Sequence, residues 1–186
     1  MEVTKRNDLF ALLNERGLRG NAVEIGVAEG GYSFYLLDCV PGMVCYQVDP
    51  WCELDSTEYN DYNNVSVREH LRRYRLVVET ARKYNGRAVP LRCFSREAAT
   101  MFDDGFFDFV YIDANHRLDF IREDLLLWYP KVKSGGVFAG HDYLDGVIKS
   151  GEYGVRTAVD EFAAKHNLTI NVTLEADYPS WWIVKP

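Results

Sequence analysis

The 186-residue sequence predicts a doubly wound α/β fold, a largely parallel sheet with helices on both faces. Three observations predict it. Short apolar runs alternate with stretches of helical periodicity, and two of those runs end abruptly in polar clusters. The last two strand-like runs follow one another without a helix, which predicts an antiparallel edge.

Residues 7–17 read as a short amphipathic helix, with Leu9, Leu12 and Leu13 on one side and Gly17 as a stop. Residues 22–26 form a strand, 33–39 a helix and 43–49 a second strand, one β-α-β unit. After an irregular aromatic and acidic stretch over 50–64, Val67, Leu71, Tyr74, Val77, Val78 and Ala81 recur at helical spacing. Glu69 with Arg73 and Glu79 with Lys83 add i,i+4 pairs to that helix. Residues 87–93 give a third strand, 96–101 a short helix, and 106–113 a fourth strand, poor in charge as a central parallel strand has to be. Leu118, Ile121, Leu125 and Trp128 share one face of the next helix, which Pro130 and a Gly135-Gly136 turn end before a fifth strand. Val155, Ala158, Val159, Phe162 and Ala163 mark a further helix, and residues 168–174 and 181–184 follow as a hairpin. No repeat, low-complexity tract or linker divides the sequence, so residues 1–186 are expected to form a single domain.

A composition 47% hydrophobic and 14% aromatic supplies a large core and excludes disorder. The formal net charge of −7 repels phosphate backbones. The one basic run, 68–75, carries Leu71 and Tyr74 at helical spacing, so it reads as a solvated helix face and no nucleic-acid partner is expected. Cys39, Cys45, Cys52 and Cys93 lack zinc-knuckle spacing and fit reduced thiols in a cytoplasmic compartment. No apolar run is long enough to span a membrane, and residues 1–8 lack the apolar centre of a signal peptide; a soluble protein without a membrane partner is expected.

The most informative stretch is 107–116, an apolar run that opens into Asp113, Ala114, Asn115 and His116. The same design recurs at 135–142, which opens into His141 and Asp142. Ligands of open parallel sheets bind beyond the carboxyl ends of the strands, so Asp113, His116, His141 and Asp142 are expected to converge. Each alone would be an ordinary solvated strand end; four at two corresponding tips point to one site.

The first strand runs into Glu24-Ile25-Gly26-Val27-Ala28-Glu29-Gly30-Gly31-Tyr32-Ser33, where small residues let a ligand approach the backbone and Ser33 can cap the next helix. The spacing is G-x-x-x-G with an acid two positions ahead, not the G-x-G-x-x-G of dinucleotide sites. A carboxylate at Glu24 repels a pyrophosphate and welcomes an amino or sulfonium group, which favours a cationic nucleoside over NAD. Asp49 ends the second strand, where a carboxylate can accept both ribose hydroxyls or serve only as a turn residue. Phe94 and Ser95 follow the third strand, where an aromatic beside a hydroxyl can flank adenine or pack into the core.

Together these residues resemble the class I S-adenosyl-L-methionine (SAM)-dependent methyltransferases, most closely the family labelled methyltransferase domain 24, over residues 21–185. The resemblance rests on residues 24–33, Asp49-Pro50-Trp51, Tyr111-Ile112-Asp113-Ala114-Asn115-His116 and residues 135–143. It implies a Rossmann-like seven-stranded sheet in the order 3-2-1-4-5-7-6 with strand 7 antiparallel. It implies SAM as cofactor, with Gly26 and Gly30 lining the methionine moiety, Asp49 on the ribose, and Phe94 and Ser95 bordering the adenine. Glu24, Tyr32, Ser33, Pro50, Trp51 and Asp113 complete the implied donor site. Related sugar, polyketide and catechol-type O-methyltransferases hold a divalent cation at the tips of strands 4 and 5, which makes Asp113 and Asp142 the implied carboxylate ligands of Mg²⁺ or Mn²⁺. This sequence departs from that pattern with His141 before Asp142, where metal-dependent relatives usually carry an acid. A set of Asp113, His141 and Asp142 suits softer ions and leaves metal dependence open. His116, near the basic residue of catechol-type relatives, is the first choice of general base.

Methyl transfer from a sulfonium is a direct displacement, so the expected activity is O-methylation with His116 or His141 as base and Asp113 and Asp142 orienting the acceptor or a metal. Residues 143–154, with three glycines, read as an acceptor lid or as plain loop. Trp51, Tyr59, Tyr62 and Tyr143 suit a sugar or aromatic acceptor, within an expected small-molecule, sugar or glycan class, or equally a contact within a homo-oligomer or larger enzyme. The rival is a catalytically silent SAM-binding or assembly module, which would keep Glu24, Gly26 and Asp49 but need no histidines and carboxylates at the tips. An NAD-dependent oxidoreductase is disfavoured by the glycine spacing, and the absence of an Asn/Asp-Pro-Pro-aromatic motif weighs against amino methylation of bases.

Overall fold

The computed structural model describes residues 2–56, 59, 61–148 and 151–186. The elements run α1 (Asp8–Glu15), β1 (Asn21–Ile25), α2 (Gly31–Cys39), β2 (Val44–Val48), α3 (Val67–Ala81) and β3 (Ala88–Leu91). They continue through α4 (Ser95–Ala99), β4 (Phe107–Ile112), α5 (Leu118–Trp128) and β5 (Val132–Gly140). A two-stranded insert of β6 (Asp145–Ile148) and β7 (Gly151–Gly154) precedes α6 (Val155–His166), β8 (Asn171–Val172) and β9 (Trp181–Val184).

The main sheet has seven strands in the order β3-β2-β1-β4-β5-β9-β8. β1 pairs in parallel with β2 and β4, and β5 joins β4 the same way, while β9 runs antiparallel to both β5 and β8. This is the expected 3-2-1-4-5-7-6 pattern, with the insert taking two places in the chain numbering. β4 is buried at every position because helices cover both of its faces. The period of two splits its side chains between two cores: Phe109 and Tyr111 pack with Leu9, Phe10 and Leu36, while Val110 and Ile112 pack with Ile121, Leu125, Phe138 and Val159.

Three local expectations are corrected. α2 begins at Gly31, because Gly30 takes a left-handed φ of 81° and starts the helix without a side-chain cap. Ser33 therefore sits inside the helix, where its hydroxyl accepts from Gln47 Nε2 at 2.7 Å. The Gly135-Gly136 pair lies within β5 rather than before it: the register against β4 shifts between Phe107 and Phe109, and Gly135 has φ 78°. Residues 143–154 form the β6-β7 hairpin over most of their length, not plain loop. Lys149 and Ser150 of that segment, Met1 of the stretch read for a leader, and Thr57, Glu58 and Asn60 of the irregular stretch lie outside the described residues. Among the described residues, no helix is long and apolar enough to cross a membrane.

Candidate active site

A cavity of about 1080 Å³ opens at the carboxyl ends of the parallel strands. It is lined by Glu24 and Gly26 at the end of β1, Asp49 and Pro50 after β2, and Phe94 and Ser95 after β3. Asp113 and His116 after β4, and His141 and Asp142 after β5, complete the wall. The fold thus gathers both polar strand tips in one space.

Gly26 explains how closely these tips meet. At φ 89°, a Cβ there would stand 1.9 Å from the Asp113 carbonyl oxygen, so only glycine fits. Beside it Glu24 is 3% exposed and its Oε2 has no hydrogen-bond partner. Burial, opposed by the Ser33 hydroxyl and reinforced by Asp113, pushes its carboxyl up to about 8. A buried acid with a spare oxygen is a receptor for an ammonium group.

Asp49 is busier than its motif suggests. One oxygen accepts from the backbone N–H of Val27 at 3.0 Å and Ala28 at 2.9 Å, and the other from Trp51 at 2.7 Å. Of roughly four acceptor positions on a carboxylate, one is left for a ribose hydroxyl. Next to it His70, with its Nε2 buried and without a hydrogen-bond partner, also lines the cavity. Trp51 does not line it: the ring is 1% exposed, packs on Tyr74 and donates Nε1–H to Ala28 O at 2.8 Å, bracing the β1–α2 loop from behind. Gly30 and Ser33 likewise stand behind the wall, whereas Tyr32 is part of it. At the far end Ser95 donates to Asp124 and accepts from Trp128 Nε1 at 2.8 Å, and burial pushes Asp124 up to about 7 against that hydrogen bond.

On the other side Asp113, His116 and Asp142 present ligand atoms within 4.8 Å of one another. His116 Nε2 lies 2.8 Å from Asp142 Oδ2 and 3.7 Å from Asp113 Oδ1 without an aligned hydrogen bond, and Nδ1 lies 3.3 Å from Asp61 Oδ2. The Tyr153 ring of β7 stacks on this imidazole at 4.6 Å. Burial lowers the pKa of His116, but the surrounding carboxylates of Asp113, Asp142 and Asp61 outweigh it and hold the ring well above the usual histidine range. Burial raises Asp113, while His116, His141 and Arg6 together bring it below the usual carboxylate range. Two carboxylates facing one unaligned ring nitrogen fit a divalent cation.

The imidazole of this group is His116, where the sequence pattern had His141. His141 turns Nδ1 to Ser180 Oγ at 3.0 Å, and Ser180 Oγ meets the Tyr111 hydroxyl at 3.1 Å. Asp142 takes a left-handed φ of 53°, an outlier at a strand tip that re-aims its carboxylate. Tyr59 and Tyr62 line the cavity, but Tyr143 does not; its hydroxyl donates to Asp160. Arg6, His70, Asp124 and Tyr153 are among the wall residues that sequence reasoning missed, as is Asp61, which meets His116 Nδ1. Only His70 carried a signal, a histidine inside a basic helical run.

A family model described as a methyltransferase domain matches residues 23–143. No curated protein matches the chain. Among solved structures, an O-methyltransferase from Bacillus cereus in complex with S-adenosylhomocysteine (SAH) is 17% identical with a TM-score of 0.59, over 96% of this chain and 80% of that one. The O-methyltransferase TomG from Streptomyces achromogenes, involved in tomaymycin synthesis and solved with SAM, is 17% identical with a TM-score of 0.66, over 97% and 79%. Fibrillarin from Aeropyrum pernix with natively bound SAM is 13% identical with a TM-score of 0.61, over 95% and 74%. At these identities the likeness is one of fold.

Proposed function

The chain belongs to the methyltransferase-domain family, and we propose that it transfers the methyl group of SAM to a hydroxyl oxygen on a small molecule or sugar. One observation carries the reading: a single cavity holds a receptor for an ammonium group at Glu24 on one side and the Asp113, His116 and Asp142 group on the other. Two similar folds named O-methyltransferases, solved with SAM or SAH, support it. The cavity volume exceeds what one nucleoside fills, which leaves room for an acceptor beside Tyr59, Tyr62 and Tyr153.

In this reading Glu24 holds the donor's ammonium, Gly26 gives the methionine moiety access to the backbone, and Asp49 and His70 take the ribose hydroxyls. Phe94 and Ser95 flank the adenine. His141 is the general base: in the tautomer whose Nδ1–H is donated to Ser180 Oγ, Nε2 carries the lone pair that receives the acceptor proton. His116 is less suited, because both of its nitrogens lie among carboxylates. Asp113, His116 and Asp142 would hold a divalent cation, which when bound lowers the pKa of the acceptor hydroxyl. The new C–O bond forms as the S–C bond breaks, the sulfonium becomes a thioether, and the hydroxyl proton passes to His141. Residues 1–186 act together as one domain.

Calorimetric titration with SAM and with NAD, with EDTA or with added Mg²⁺ or Mn²⁺, followed by a mass-spectrometric screen of hydroxylated acceptors, tests this. SAM binding and a methyl added at oxygen are expected. No SAM binding in any condition overturns the donor assignment, methylation at nitrogen alone overturns the acceptor class, and binding without turnover on any acceptor favours a silent module.

A further inference from the structure

Arg6 lies outside residues 23–143, in the turn before α1, yet its side chain lines the cavity. The turn is fixed locally by the backbone N–H groups of Thr4 and Lys5, each donating to Asp8 Oδ2 at 2.9 Å. It is fastened to the connection between β8 and β9 by Arg6 N–H donating to Glu175 Oε2 at 3.1 Å and Leu174 N–H to Thr4 O at 2.9 Å. From there the guanidinium reaches over the ring of Tyr32, 5.4 Å from its centroid, in the first turn of α2. Its approach to Asp113, 4.0 Å from Nη1 to Oδ2, is too long for a hydrogen bond, and the Tyr111 hydroxyl meets the guanidinium at one side, so of its five N–H donors several remain for another anion.

A guanidinium is out of place in a cavity built only for a sulfonium, because like charges repel. The donor's other end is different: an amino acid carries a carboxylate beside its ammonium. Glu24, with its buried and unpartnered Oε2, faces the cavity for the ammonium. The matching anion receptor has to be cationic and close by. Arg6 meets that need together with α2, a nine-residue helix whose first N–H groups have no side-chain cap.

Resting on the donor reading above, we infer that Arg6 binds the carboxylate of the donor's amino-acid end, opposite Glu24 on its ammonium. A residue outside the family-matched region thereby completes the recognition of the zwitterion.

The test is calorimetry on the full chain, wild type against Arg6→Gln and Arg6→Lys, with two ligands. SAH carries the amino-acid end; 5′-methylthioadenosine keeps the nucleoside and thioether but lacks it. Arg6→Gln is expected to lose about tenfold or more in SAH affinity, as a charge-assisted hydrogen-bond pair is worth, and Arg6→Lys less. 5′-Methylthioadenosine should bind all three chains equally, which also reports an intact fold. SAH affinity unchanged in Arg6→Gln, or an equal loss for both ligands, overturns the inference; so does an effect confined to the KM of a carboxylate-bearing acceptor. A wild-type chain that binds neither nucleoside overturns the donor reading itself.

Discussion

His116 and His141 stand at the tips of adjacent strands, and both reach toward Asp142. Their surroundings make them different reagents. His116 is 6% exposed, with Asp61, Asp113 and Asp142 around its ring and Tyr153 stacked on it. His141 is hydrogen-bonded to a neutral hydroxyl, Ser180 Oγ, and comes no nearer than 3.7 Å to Asp142 Oδ1. An imidazole among three carboxylates stays charged or goes to a cation; one beside a hydroxyl can accept a proton. The pair teaches that the chemistry of a strand-tip histidine is set by the carboxylates it meets, not by the motif that delivers it.

The strongest way to break this contrast is Asp142→Asn, which touches both rings. Steady-state kinetics should show kcat/KM for the acceptor down by about 100-fold or more with SAH affinity nearly unchanged. A loss below threefold would mean that neither ring depends on this carboxylate. Next comes the exchange of roles. His141→Ala is expected to lower kcat by about 100-fold at any metal concentration, as loss of a general base does. His116→Ala should instead raise the Mn²⁺ or Mg²⁺ concentration needed for half-maximal rate by about tenfold, with kcat partly restored at saturation. The reverse pattern would swap the two assignments.

Glu24 sharpens the comparison from the donor side. With its folded carboxyl pushed up to about 8 from an ordinary 4.5, the folded chain binds more protons than the unfolded chain between those values. Stability of the ligand-free protein should therefore fall as pH rises through that window, and Glu24→Gln should flatten the dependence of Tm on pH. An ammonium partner favours the ionised carboxylate, so SAH binding near pH 7 should release up to about one proton, seen as a binding enthalpy that varies with the buffer's ionisation enthalpy. A buffer-independent enthalpy would remove Glu24 from the ammonium. The smallest effect belongs to Ser180→Ala. Losing one neutral hydrogen bond to His141 should lower kcat by about fivefold while leaving the metal requirement of His116 untouched.

The order of elements was legible because buried strands and amphipathic helices leave different periods in the chain; the central apolar run of β4 and the face of α5 are plain in one dimension. Glycine was less legible. Gly135-Gly136 signals a turn in sequence, but the same freedom of φ serves a break in register inside β5. The tip residues were visible as polar groups ending apolar runs, whereas their ranking was not, since Asp61 reaches His116 from 55 positions away. His70 was hidden in a basic run that reads as a solvated helix face, and Trp51 sat beside a site motif while serving the core. Arg6 had no local signal at all: only the docking of the first turn on Glu175 brings it to the cavity.

That docking carries a consequence for biosynthesis. Thr4 and Arg6 are held by Leu174 and Glu175, so an early segment of the nascent chain has its partners among much later ones. β1 to β4 can begin to assemble while the ribosome is still at work, but the wall contributed by Arg6 cannot be set until the β8–β9 connection has emerged. A stalled or truncated chain lacking residues 171–184 would carry Glu24, Gly26 and Asp49 with the Arg6 side of the cavity unfastened.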